Sequence, residues 1–259
     1  MPDLAAPVLR PARLGGWLMI PEPLVVEAAA QAGFDWVGLD LQHGHWDVNL
    51  AFRGIQLLDA YRVPVLIRIA EVELSLIPRV LDHGAAGVVI AMVSSPELVA
   101  QAVTMARYQP EGTRSYAGQR YGFRPEPEDV ATVRPLVYPM LEDARGVAAA
   151  RDIAAVPGIA GIHVGPADLT LGLGKGRRRE DPEVQAAFDT IRDAAHERGL
   201  PVAMHAVAGE EAAAWEARGF DELVLTADIA VIRDGMRGMV AAARGRPVAP
   251  SGGPYGERR

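Results

Sequence analysis

Short apolar runs rich in Val, Ile and Leu alternate along the chain with longer segments whose apolar residues recur every three or four positions. The first pattern predicts buried strands and the second amphipathic helices. Eight strands are predicted: Gly16–Ile20, Trp36–Leu41, Val65–Ile69, Gly87–Met92, Leu136–Leu141, Gly161–Val164, Pro201–His205 and Glu222–Thr226. Helices are predicted at Leu24–Ala32, Val48–Ala60, Leu74–His83, Pro96–Arg107, Ala144–Ala155, Pro182–Arg198, Gly209–Arg218 and Ala230–Arg244. Five of these helices run into glycine, at Gly33, Gly84, Gly158, Gly199 and Gly219, as a left-handed C-cap before a short loop requires.

Eight βα units in about 250 residues is the arithmetic of an α/β, single-domain (β/α)8 TIM barrel. The barrel is expected over residues 1–245, with 246–259 (RPVAPSGGPYGERR) as a mobile tail. Two connections are long, Tyr108 to Arg134 and Leu169 to Asp181. Both follow strands, so in a barrel both lie on the face where active sites form.

Composition narrows the chemistry. The 259 residues include no cysteine, which excludes disulfides, thiolate nucleophiles and cysteine-based metal sites. Of 26 Lys and Arg residues only Lys175 is lysine, so a Schiff base would have to form there. A net charge of −7 argues against a nucleic-acid or anionic-membrane partner, and the Arg177–Arg179 triplet is too short to reverse that. The glycines at 172, 174 and 176 lack the spacing of a phosphate loop. No apolar stretch approaches the roughly 20 residues of a spanning helix. Met1–Arg13 has no apolar signal-type core, and a cytoplasmic protein acting on a small molecule is expected.

Function is therefore sought at strand C-termini, where polar residues collect among otherwise apolar strands. Glu142 and Asp168 should top adjacent strands roughly 4.8 Å apart. Two carboxylates that close repel unless a divalent cation joins them, and oxygen ligands suit Mg²⁺ or Mn²⁺. The alternative is that Glu142 caps a helix and Asp168 a turn. Asp40 could accept from an imidazole N–H of His43 or His45 and so prepare a base; spacing does not choose between the two. Arg68 ends the third strand, suited to an anion or to an ion pair with Asp40 or Glu142. His83 and His196 read as surface residues, and His163 and His205 as satisfied core. Arg114, Arg120, Arg124 and Arg134 read as solvated loop residues, with an anion or a neighbouring subunit as the functional alternative.

In order along the chain, these residues resemble the HpcH/HpaI aldolases, metal-dependent class II pyruvate aldolases. The resemblance begins at Gly16-Trp17-Leu18. It continues through AGFDWVGLDLQHG (32–44), Arg68, Tyr108, Pro110, Gly112-Thr113-Arg114, Glu142, GIHVGPADLT (161–170) and DPEVQAA (181–187). It implies a divalent metal (Mg²⁺ or Mn²⁺, with Co²⁺ or Zn²⁺ as substitutes) on Glu142 and Asp168, and an Asp40–His43 base dyad. It further implies Arg68 at the substrate oxo group, and a 2-oxo acid bound by Trp17, Arg68 and the segment Gly165, Pro166, Ala167 and Asp168. The partner substrate is an aldehyde, and homo-oligomers, commonly hexamers, are implied. Two departures stand out: Gln42 where the family usually has Glu, and Met140 where it often has Gln. The rival readings are a CoA-ester lyase of the citrate-lyase β or malyl-CoA kind, and a catalytically silent barrel acting as a binding protein.

Overall fold

A computed structural model describes residues 13–117, 120, 133–225 and 227–247. Eight parallel strands close in sequence order into a barrel. They are β1 (Arg13–Leu18), β2 (Trp36–Asp40), β3 (Val65–Ile69), β4 (Gly87–Ile90), β5 (Leu136–Leu141), β6 (Ile162–Val164), β7 (Val202–Val207) and β8 (Glu222–Leu225). Pairing of β1 with β8, Arg13 opposite Glu222, completes the ring.

The described helices are α1 (Pro23–Gln31), α2 (Val48–Ala60), α3 (Leu76–Asp82), α4 (Pro96–Ala106), α5 (Ala144–Ala148), α6 (Ala150–Ala154), α7 (Pro166–Gly172), α8 (Pro182–His196), α9 (Ala212–Ala217) and α10 (Asp228–Ala243). The helix expected at Ala144–Ala155 is broken at Ala149, whose ψ of 3° leaves the helical range. The helix expected from Leu74 starts at Leu76, after a 3₁₀ turn at Glu71–Glu73, and the stretch expected to open with regular helix at Gly209 begins with a 3₁₀ turn at Gly209–Glu211. Helix α7 occupies a stretch expected to be strand end and loop; Pro166 at its first position presets the helical φ. The expected glycine caps form: Gly33, Gly84, Gly158, Gly199 and Gly219 all have φ between 69° and 102°. The tail from 248 onward and most of the 108–134 connection lie outside the described residues.

Alternation along the strands makes two cores. Residues such as Leu39, Ile67, Val88, Ile162 and Met204 point outward and pack beneath the helices. Trp17, Trp36, Leu66, Tyr138, Met140 and Val224 point inward and fill the barrel. Their bulk needs space on neighbouring strands. A Cβ on Gly38 would lie 2.4 Å from the Trp17 ring, so the glycine of β2 makes room for the tryptophan of β1. At the N-terminal end, Tyr138 Oη donates to Glu222 Oε1 at 3.0 Å, and Glu222 is ion-paired with Arg13. Charge at that end supports the fold, leaving the opposite end for chemistry.

Candidate active site

At the C-terminal end of the barrel a narrow cleft is lined by Arg68, Met140, Glu142, Gly165, Pro166, Ala167, Asp168 and His205. The strand period of two selects them. Arg68 follows Leu66 on β3, Glu142 follows Tyr138 and Met140 on β5, and His205 follows Ala203 on β7. Six of the residues expected in the site therefore meet here: Arg68, Glu142 and the four from Gly165 to Asp168.

Glu142 is buried, with 2% of its surface exposed, and is held from two sides. Its Oε1 accepts from the Met92 amide at 2.7 Å. Met92 has φ 56°, a left-handed conformation that costs energy in a residue with a Cβ. On the other side the Gly165 backbone approaches so closely that a Cβ there would be 2.2 Å from Glu142 Oε2. The helix-cap alternative for Glu142 does not occur, because Asp143 caps α5, accepting from the Gly146 amide at 2.6 Å. Asp168 is half-buried in the first turn of α7.

Asp40 and Trp17 stand behind the cleft. Asp40 Oδ1 accepts from Arg68 Nε, Gln42 N and His43 N, each at 3.0 Å, and Oδ2 accepts from Trp17 Nε1 at 3.1 Å. Asp40 thus fixes the Arg68 guanidinium and the turn after β2. His43 reaches Asp40 through its backbone N–H; its ring is exposed and makes no hydrogen bond to Asp40. His45 is exposed as well.

The arginines of the β4 connection serve ion pairs. Arg114 is buried, donates twice to Asp82 Oδ1 and lies over the Tyr108 ring. Arg120 pairs with Asp59 and Arg134 with Glu111, while Arg124 lies outside the described residues. Lys175 does not line the cleft. Its ammonium is 2.5 Å from Glu183, whose hydrogen bond raises the lysine pKa, the opposite of what an amine nucleophile needs.

Two groups in and beside the cleft escaped the sequence reading. Met92 carried no signal, since nothing in a methionine announces a left-handed φ. His205 carried one: it ends a strand with the same parity as the inward Ala203. Expected to be satisfied core, it instead lines the cleft with Nδ1 unpartnered among the described residues. His163 is buried as expected, but both its ring nitrogens lack partners there, and burial pushes its pKa down to about 3.

The donor set suits a hard divalent cation: two carboxylates lining one cleft. Among the described residues no cluster of three or more His, Cys, Asp or Glu side chains suited to a metal occurs. Burial, chiefly, pushes the Glu142 carboxyl up to about 7; the Met92 amide and the Arg68 charge oppose the rise, while Asp168 and Asp40 add to it.

A pH dependence follows. An acid with a higher pKa folded than unfolded contributes stability that is complete below its unfolded value and is lost as pH rises through the folded one. The span from 4.5 to about 7 for Glu142 corresponds to about 3 kcal/mol. In chelator, the wild type is expected to lose stability over that window relative to Glu142→Gln, which does not titrate. Urea midpoints across pH check this; parallel curves for the two proteins would contradict it.

An eight-stranded parallel barrel with an arginine and two acids at its C-terminal mouth has the architecture of a (β/α)8-barrel enzyme. Residues 13–228 match the family model of HpcH/HpaI aldolase/citrate lyase, and the chain belongs to that family. It is 31% identical over 238 residues to a hydroxypyruvate/pyruvate aldolase of Chromohalobacter salexigens, covering 90% of this chain and 94% of the relative. It is 30% identical over 225 residues to a 5-keto-4-deoxy-D-glucarate aldolase of Klebsiella pneumoniae, covering 85% and 88%. Among solved structures, an HpcH/HpaI aldolase from Desulfitobacterium hafniense superposes with a TM-score of 0.84 at 25% identity, covering 92% and 95%. The chain is a class II aldolase, a type generally dependent on a divalent metal.

Proposed function

We propose that the enzyme catalyses reversible aldol addition and cleavage between a 2-oxo acid, pyruvate or hydroxypyruvate, and an aldehyde, with a divalent cation (Mg²⁺ or Mn²⁺) held by Glu142 and Asp168. The observation that carries this reading is the convergence of Arg68, Glu142, Asp168 and the 165–168 backbone on one cleft. Names of relatives that act on pyruvate and hydroxypyruvate support the substrate class.

The bound cation supplies Lewis-acid polarisation of the substrate oxo group. The other contributions belong to the chain. Arg68 has a buried Nη2 without a partner among the described residues, and this N–H donates to the oxo oxygen as enolate charge develops. Asp40 keeps that guanidinium fixed, so no reorganisation is needed when the charge appears. Early amides of α7, those of Ala167 and Asp168, have no acceptor within the helix and face the substrate carboxylate. His43 takes the hydroxyl proton in cleavage and returns it in addition, its loop set by the bond from its own amide to Asp40.

His43→Ala is expected to lower kcat for aldol cleavage about a hundredfold, in the range of a lost general base. Steady-state kinetics with pyruvate product trapping measures it. Unchanged kcat would move the role to His45.

Among the described residues no helix is long and apolar enough to cross a membrane. A homo-oligomer is supported by α10, where only Ala230 is buried while Ile229, Val231, Met236, Met239 and Val240 are exposed.

A further inference from the structure

We propose that His205 determines specificity for the substituent on C3 of the 2-oxo acid, by hydrogen-bonding a C3 hydroxyl. The assignment rests on the aldolase reading above. In that reading the carboxylate meets the 165–168 backbone, and the oxo oxygen meets Arg68 and the cation that Glu142 and Asp168 would hold. Of a three-carbon 2-oxo acid only C3 is then unassigned, and of the lining residues outside the 165–168 segment only Met140 and His205.

The two differ in kind. Met140 is buried and its Sδ lies 3.8 Å from Arg68 Nη1, so it presents a soft apolar wall. His205 is the one uncharged polar side chain among the lining residues. It is 4% exposed, and its Nδ1 has no hydrogen-bond partner among the described residues. A buried imidazole left so is uncommon and points to a ligand that completes it.

The ring is also fixed in place. Trp17 stands edge-on to it at 4.4 Å with the planes 87° apart, and Trp17 is itself tied to Asp40 at 3.1 Å. Burial, chiefly, and then the Arg68 charge hold the imidazole neutral. A neutral imidazole offers one N–H and one lone pair, and a hydroxyl, being both donor and acceptor, satisfies it in either tautomer. A carboxylate or phosphate would call for the imidazolium that this site disfavours, and a methyl group leaves Nδ1 unsatisfied. The chemistry therefore selects hydroxypyruvate over pyruvate as the donor that gains from His205.

The test compares kcat/KM for the two donors, each with the same aldehyde and saturating Mn²⁺, in the wild type, His205→Leu, His205→Phe and His205→Gln. His205→Phe keeps an aromatic edge against Trp17 should the leucine variant fold poorly. The ratio of hydroxypyruvate to pyruvate is expected to fall about tenfold in the leucine and phenylalanine variants, the effect of one lost hydrogen bond, and to recover to within about threefold in glutamine. An unchanged ratio overturns the assignment, as do equal losses with both donors. A loss that follows a hydroxyl on the aldehyde, read with glycolaldehyde against acetaldehyde, overturns it in favour of the acceptor side. Failure of the wild type to turn over either donor is a separate result, read without any variant, and overturns the aldolase reading on which the assignment stands.

Discussion

Glu142→Gln is expected to cut aldol turnover about a thousandfold and to abolish its response to added Mn²⁺, with Asp168→Asn close behind. The exchange keeps the size of the side chain and removes one negative charge at a place the structure has prepared for it. The Met92 amide at 2.7 Å and the close Gly165 backbone fix where the carboxylate stands. Its burial makes the charge costly without a cation beside it, which is why the carboxyl is pushed up to about 7. The Asp168 charge adds to that cost, and a divalent ion beside Glu142 relieves it. The effect should fall on kcat and on metal affinity, and a metal titration of initial rates separates them. A variant keeping more than about a tenth of wild-type turnover at saturating Mn²⁺ would remove Glu142 as a ligand, since even one electrostatic donor in a dry site is worth about a hundredfold.

Asp40→Ala should have the largest effect on stability, a loss of about 3–5 kcal/mol. Its carboxylate is 1% exposed and accepts from four groups: the Arg68 guanidinium, the Trp17 indole and two backbone amides. Truncation leaves a charged guanidinium buried without its counter-ion, and that exposed cost, rather than the worth of one pair, sets the magnitude. The exposed Arg151–Glu197 pair offers the contrast: water and salt screen it, and replacing Glu197 is expected to move the unfolding midpoint little. Catalysis should fall too, because Arg68 loses the partner that aims it. Urea unfolding measures the first effect; a loss below about 1 kcal/mol, typical of a surface pair, would mean that the Arg68 charge finds other compensation.

The fold was legible because barrel strands are continuous apolar runs and the helices between them end at glycine. Val65–Ile69, Leu136–Leu141 and Val48–Ala60 have the bounds their patterns predict. Helix α7 was not legible: GPADLTLG follows a strand without a break, and seven residues are too few to display a helical period. The break at Ala149 was hidden in alanines that favour helix on both sides. In the site, charges at strand ends announced Arg68, Glu142 and Asp168, because such groups are too costly there without a purpose. What Asp40 binds was not announced. Spacing alone suits a bond to an imidazole, whereas the register that sets Asp40 opposite Arg68 delivers the carboxylate to the guanidinium. His205 was set aside because strand histidines are most often core, although its parity with Ala203 places it inside the barrel at the catalytic end.

Enolate chemistry supported by a metal and Arg68, with no covalent adduct at Lys175, is the central claim. Exchange of solvent deuterium into the pyruvate methyl group tests it most directly, because it needs only donor and enzyme. The account predicts exchange with Mn²⁺ that stops on chelation and is absent in Glu142→Gln; exchange that persists undiminished in chelator would contradict it.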